Sequence, residues 1–179
     1  MVLLIIILLI AFAFIGTYNS LVAKRNMVKN AFAGIDVQLK KRYDLIPNLV
    51  ESVKGYMKHE ESVLTKLVQL RNTPYSQMDE AQKGELDNTL RQFVNGLRVT
   101  VEQYPDLKAS ANFMHLQRTL NETEEQLAAA RRSFNAAVTD YNTSIQTFPT
   151  NLLAGLFGFT QKNLLENTPE ERKNVEVKF

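Results

Sequence analysis

The side chains best suited to acid–base or metal chemistry in this chain are two histidines, His59 and His115, among 19 carboxylates. His59-Glu60 opens like a zinc-protease motif, in which two histidines four residues apart on one helix hold the metal and a glutamate acts as base. The residue four after His59 is Val63, so the second ligand is missing. Carboxylate-bridged di-iron bundles use Glu-x-x-His pairs. Three residues before the two histidines stand Tyr56 and Asn112, so that pattern is absent too. No spacing supports a mononuclear site built from His59, His115 and scattered carboxylates. The chain contains neither Gly-x-Gly-x-x-Gly, nor another phosphate-cradling loop, nor Gly-x-Ser-x-Gly. It has no cysteine, which excludes disulfides, thiol catalysis and thiolate metal sites. The expectation is a protein that is not an enzyme, with no catalytic residue, no metal ligand and no cofactor.

The remaining polar residues of interest lie inside apolar helical rows. Leu21, Val28, Ile35, Arg42, Leu49, Tyr56, Val63 and Leu70 repeat every seven residues. A second row, four later, holds Arg25, Phe32, Leu39, Ile46, Val53, Glu60 and Leu67. Together they are the two seam rows of a helix packed in coiled-coil style, between about 18 and 70. A second helix is predicted over about 77–103, with Leu86, Leu90, Phe93, Leu97, Val101 and Tyr104 on one face. Ser76 followed by Asp79 resembles its capping box. A third is predicted over about 112–148, where Phe113, Leu120, Leu127, Phe134, Tyr141 and Phe148 stand at strict seven-residue spacing. Ala128, Ala130 and Ala137 between them let a partner helix approach closely.

Arg42 and Glu60 sit in the first seam, and Glu124 and Arg131 lie one row from Leu127 and Phe134. Two readings stand side by side. Opposite charges on facing helices pair and so select the register, or these side chains snorkel to solvent at the edge. Pro74, Pro105 and Pro149 fall at breaks in the periodicity. Pro47 lies inside the first segment, which is either one kinked helix or two helices parted near 43–47 or 55–59. A break anywhere in 42–59 gives four helical pieces and an up-down-up-down bundle.

These elements follow a run without a polar interruption: Val2, Leu3, Leu4, Ile5, Ile6, Ile7, Leu8, Leu9, Ile10, Ala11, Phe12, Ala13, Phe14 and Ile15. To Tyr18 it supplies about 25 Å at about 1.5 Å per residue, slightly short of a bilayer's hydrocarbon thickness. A permanent anchor is the preferred reading. A cleaved signal peptide competes, because Ala11-Phe12-Ala13 fits the small-x-small cleavage pattern, but no Lys or Arg precedes the run. A buried core helix is disfavoured, since soluble helices rarely lack a polar face. Lys24, Arg25 and Lys29 follow within the window in which positive charge fixes orientation. They place the N-terminus outside and residues 19–179 in the cytoplasm, and they also lie where anionic headgroups are in reach. Net charge is +2, from 21 basic and 19 acidic residues. That balance argues against nucleic acid as a partner. About 160 residues remain beyond the anchor, enough for one domain with a real core.

Three parts are therefore expected: an anchor over 1–18, a helical bundle over 19–148, and a tail over 149–179. In the tail, Leu152, Leu153, Leu156, Phe157 and Phe159 form a compact apolar patch. It either closes one end of the bundle or contacts the bilayer surface or a partner. The latter needs the last long helix to end near the membrane. Residues 166–179 are polar and expected to be mobile.

The run from Tyr18, YNSLVAKRNMVKNAFAGIDVQLKKRYDLIPNLVESVKGYMKHE, resembles the opening of the LemA family. The later stretches EQYPDLKASANFMHLQRTLNETE, ARRSFNAAVTDYNTSIQTFP and LFGF at 156–159 agree, so the resemblance spans the whole chain. Phe32 stands where Trp is more usual in the family, and Tyr43 where His is common. The resemblance implies an all-α protein: a short extracytoplasmic N-terminus, one transmembrane helix in the bacterial cytoplasmic membrane, and a cytoplasmic antiparallel four-helix bundle. It carries no assigned reaction and no catalytic residue. Some relatives are associated with bacterial membrane organelles. The expected function is thus a bitopic scaffold that self-assembles into a homo-oligomer and organises membrane or recruits other proteins. The alternative is a regulatory adaptor that binds a membrane signalling or protease partner.

Overall fold

The computed structural model describes residues 1–54, 74–102 and 104–165. Every element among them is helical. The first, α1, runs from Val2 to Asp44 without interruption. The expected boundary at residue 18 is thus a change of composition inside one helix, from lipid-like to amphipathic. Leu45 alone separates α1 from α2, Ile46–Lys54. The cause is Pro47, which has no N–H to give the carbonyl four residues back. Leu45 N instead donates to Arg42 O at 3.2 Å, and the helix resumes with Leu49 N to Leu45 O at 3.0 Å. The interruption falls in the 43–47 window; the other candidate, 55–59, lies outside the described residues. Asp44, the last residue of α1, pairs with Lys40 at 2.7 Å.

A single 3-10 turn, Tyr75–Gln77, follows Pro74. Helix α3 spans Glu80–Val101. Its capping box is three residues later than the sequence pattern suggests. Gln82 N donates to Asp79 Oδ1 at 2.8 Å, and Asp79 N to Gln82 Oε1 at 3.0 Å. Ser76 is taken up in the 3-10 turn, so Asp79 becomes the cap rather than the third residue of the box. Helix α4, Pro105–Lys108, begins on its proline, whose missing N–H costs nothing in a first turn. The long α5 covers Ala111–Gln146, and the short α6 covers Thr150–Leu156.

The row from Leu21 and the row from Phe113 are buried faces, whereas the second row of the first segment is mixed: Arg25 is exposed, Phe32 and Leu39 are half-buried and Ile46 is buried. Leu21, Val28, Ile35, Arg42 and Leu49 are all buried, as are Phe113, Leu120, Leu127, Phe134 and Tyr141. Tyr56, Glu60, Val63, Leu67 and Leu70 lie outside the described residues. Phe148 departs from its row: it is 75% exposed, because α5 ends two residues before it.

The chain divides into two compact units, Met1–Ile35 with Ala129–Phe179, and Asp36–Ala128. The second unit holds a continuous core that includes Ile46, Leu49, Leu86, Leu90, Phe93, Leu107, Phe113 and Leu116. Each such side chain contributes roughly 1.5–3 kcal/mol by leaving water. In the first unit, Lys24 pairs with Asp140 and Phe32 with Phe134. Rising numbers on α1 meet falling numbers on α5, so the two helices run antiparallel there.

Candidate functional site

Two places concentrate polar or exposed apolar side chains. One, in the first unit, surrounds the end of the apolar run. Because α5 is antiparallel to α1, it brings the chain after Gln146 back beside Tyr18. The Tyr18 ring meets Phe157 edge-on at 4.9 Å and Phe159 at 5.9 Å. The Arg25 guanidinium lies over the Phe159 ring at 5.2 Å. Lys24 is engaged with Asp140, and Lys29 is exposed.

Helix α6 ends in a Schellman turn that sorts the aromatic residues of LFGF. Phe159 N donates to Ala154 O at 2.9 Å and Gly158 N to Gly155 O at 3.4 Å. Gly158 takes φ +69°, which side-chain-bearing residues adopt only with strain. The reversal swings Phe159 inward, to 8% exposure, and leaves Phe157 52% exposed. The five residues of the expected patch are divided in this way. Leu153 and Phe159 are buried in the unit, while Leu152, Leu156 and Phe157 face outward.

Beyond α6 the chain runs back along α5, held by two asparagines. The Asn142 amide both donates to Lys162 O and accepts from Lys162 N, at 2.8 and 2.9 Å. Asn135 does the same for Leu165, at 3.0 and 2.9 Å. The Tyr141 hydroxyl donates to Thr160 O at 3.0 Å, and burial pushes that hydroxyl above its ordinary pKa. Residues 166–179, expected to be mobile, lie outside the described residues.

The other place is an ionic cluster in the second unit. Arg42 and Asp87 are each 4% exposed. Arg42 Nη1 lies 2.7 Å from Asp87 Oδ1 and 2.7 Å from Glu124 Oε2. Arg91 Nη2 lies 3.2 Å from Asp87 and 3.7 Å from Glu124. Two cations and two anions thus interlock across α1, α3 and α5. Of the two readings of the seam charges, pairing holds for Arg42 and Glu124. Glu60 lies outside the described residues.

Nearby, Asp36 gathers a second polar knot. It accepts from Lys83 Nζ at 2.6 Å and from the Tyr75 hydroxyl at 2.9 Å. Lys83 also sits over the Tyr75 ring at 4.7 Å. The Lys83 hydrogen bond, opposed by burial and aided by Tyr75, holds the Asp36 carboxyl below its ordinary 3.8. Burial, then the bond to Asp36, pushes the Tyr75 hydroxyl far above its ordinary range, so it remains a donor at neutral pH. A depressed carboxylate stabilises the fold above its ordinary pKa and loses that contribution as pH falls through the depressed value. Asp36 is 39% exposed, so the effect is screened to about 1 kcal/mol or less. Thermal unfolding of the parent and of Asp36→Asn is expected to converge as the pH is lowered from about 5 towards 2. Parallel curves across that window would contradict the assignment.

His115 is exposed and lines an open cleft with Asn48, Glu51, Ser52 and Asn112. Among the described residues no three of His, Asp and Glu converge as metal ligands; His59 lies outside them. Sequence reasoning missed Asp36, Tyr75, Lys83, Asp87 and Arg91, each of which has at least one partner distant in sequence. It also missed Asn135 and Asn142, although their seven-residue spacing parallels Phe134 and Tyr141.

Among the described residues the protein is therefore all-helical, and its N-terminal helix is long and apolar enough to cross a membrane, with its most apolar stretch unburied. It belongs to the LemA family, whose sequence profile matches residues 31–179. It is 28% identical to Protein LemA of Metamycoplasma hominis, over 93% of this chain and 76% of that protein. It is 24% identical to Magnetosome protein MamQ 2 of Paramagnetospirillum magneticum, over 93% of this chain and 72% of that one. A shorter match, 32% identical over 41% of this chain and 27% of the relative, is to Magnetosome protein MamQ of Magnetospirillum gryphiswaldense. The apolar helix and these relatives fit membrane anchoring.

Proposed function

We propose that this protein is a single-pass, membrane-anchored scaffold. Its helices pack as an antiparallel four-helix bundle on the cytoplasmic face of a bacterial inner membrane, and copies self-associate to organise membrane or recruit partners. One observation carries the reading. From Val2 to Ile15 the described large apolar side chains are between 47% and 79% exposed, so none of the described residues covers them. Such a surface in water demands lipid or another chain. A span this short is eased by oligomerising or by local thinning of the bilayer. The similarity to magnetosome proteins adds weight to a role in membrane organisation. The reading assigns no reaction to the chain.

Sidedness rests on Lys24, Arg25 and Lys29 after the run. The chain has no cysteine, so a single one can be introduced cleanly. Met27→Cys, at a 61% exposed position, is expected to react with a membrane-impermeant maleimide in inverted vesicles and not in intact cells. Labelling of intact cells would reverse the orientation and end the cytoplasmic scaffold reading.

A further inference from the structure

Among the described residues the outward face of α6 is largely uncovered, its one aromatic contact being that of Phe157 with Tyr18. Leu152 is 66% exposed, Leu156 74%, Phe157 52% and Phe148, just before the helix, 75%. The opposite face is apolar too, with Leu153 and Ala154 buried. A short helix resting on a soluble protein normally turns a polar face outward. This one does not, and from Tyr141 to Gln161 no charged side chain occurs at all.

Its position names the occupant. The pairs Lys24–Asp140 and Phe32–Phe134 set the register between α1 and α5. Continued along both helices, that register brings residues 146–148 level with Tyr18. The contact of Tyr18 with Phe157 at 4.9 Å fixes the same level independently. Tyr18 is where the apolar run ends. From Val2 to Thr17 that run spans about 24 Å, against about 30 Å of hydrocarbon, so the boundary between acyl chains and headgroups falls at Tyr18 or beyond it. Aromatic residues are favoured at that depth.

We propose that α6 is an interfacial membrane-binding element. Phe148, Leu152, Leu156 and Phe157 insert among the headgroups and upper acyl chains of the bilayer that the anchor crosses. The short span is thereby supplemented by a second apolar contact, which braces the base of the bundle against the membrane. Arg25, stacked on Phe159, sits where a lipid phosphate is in reach. This inference rests on the anchor reading of Val2–Ile15 and adds a second, separable membrane contact.

The chain has no tryptophan, so a single one reports its own surroundings. Full-length Leu156→Trp, Ile7→Trp and Met27→Trp, each at an exposed position, would be reconstituted in nanodiscs whose lipids carry bromine on the acyl chains. Ile7→Trp is expected to be strongly quenched, and Met27→Trp to emit as in water. Leu156→Trp is expected to shift to the blue and lose most of its emission, more with shallow bromines than with deep ones. Unquenched emission at 156 beside quenching at 7 overturns the inference and leaves the anchor intact. If that unquenched emission is blue-shifted and reverts on dilution into excess empty lipid, a second copy covers α6 instead. Unquenched emission at 7 defeats the anchor reading itself.

Discussion

Replacing Arg42 with alanine is expected to cost about 3–5 kcal/mol, the usual loss on breaking a buried ion pair. The reason is geometric. Arg42 and Asp87 are each 4% exposed, and the guanidinium lies 2.7 Å from Asp87 and 2.7 Å from Glu124. Without it, Asp87 and Glu124 lose the cation that bridges them, and Asp87 loses it away from water. The double variant Arg42→Leu with Asp87→Leu removes one cation and one anion and leaves Arg91 with Glu124. It is expected to regain most of the loss, because two well-packed apolar groups avoid the desolvation that the ion pair must offset. Thermal unfolding of the parent, Arg42→Leu, Asp87→Leu and the double variant in nanodiscs, followed by circular dichroism, closes the cycle. A single variant that loses less than about 1 kcal/mol would mean that the cluster behaves as a solvated surface pair.

The second large effect concerns the anchor. Introducing arginine at Ile6 and Leu9 together is expected to release the chain from membranes. Each charge near the centre of a span costs roughly 2.5–3.5 kcal/mol on insertion scales. Neither side chain is buried in the protein, at 47% and 65% exposure, so the bundle's helical signal is expected to survive. Carbonate-washed membranes should retain the parent and lose the variant to the soluble fraction. Retention of the doubly charged variant would mean that the first helix is not what holds the protein to the bilayer.

The helical rows were legible because burial follows spacing. Every described member of the row from Leu21 to Leu49 is buried, as is every member from Phe113 to Tyr141. Phe148 shows one limit of periodicity, which does not see a helix end, and the exposed Arg25 of the second row shows another, since spacing alone does not bury a charge. The capping box shows a third. Two candidate acceptors, Ser76 and Asp79, lie three residues apart, and the 3-10 turn tied to Asp36 through Tyr75 decides between them. The interior charges were half visible. Arg42 and Glu124 stand out because they interrupt apolar rows. Asp87 and Arg91 lie in α3, whose sequence resembles any solvated helix, so only tertiary packing marks them. The tail was ambiguous for a similar reason. Composition makes one patch of five apolar residues, whereas a single left-handed glycine at 158 turns Phe159 in and leaves Phe157 out.

The measurement that tests the scaffold most directly is the mass and shape of the full-length protein taken from native membranes into nanodiscs, by light scattering and negative-stain imaging. The account predicts a discrete, symmetric homo-assembly with no second protein at fixed stoichiometry. A monomer, or a complex containing another membrane protein at constant ratio, would contradict it and make the chain an adaptor.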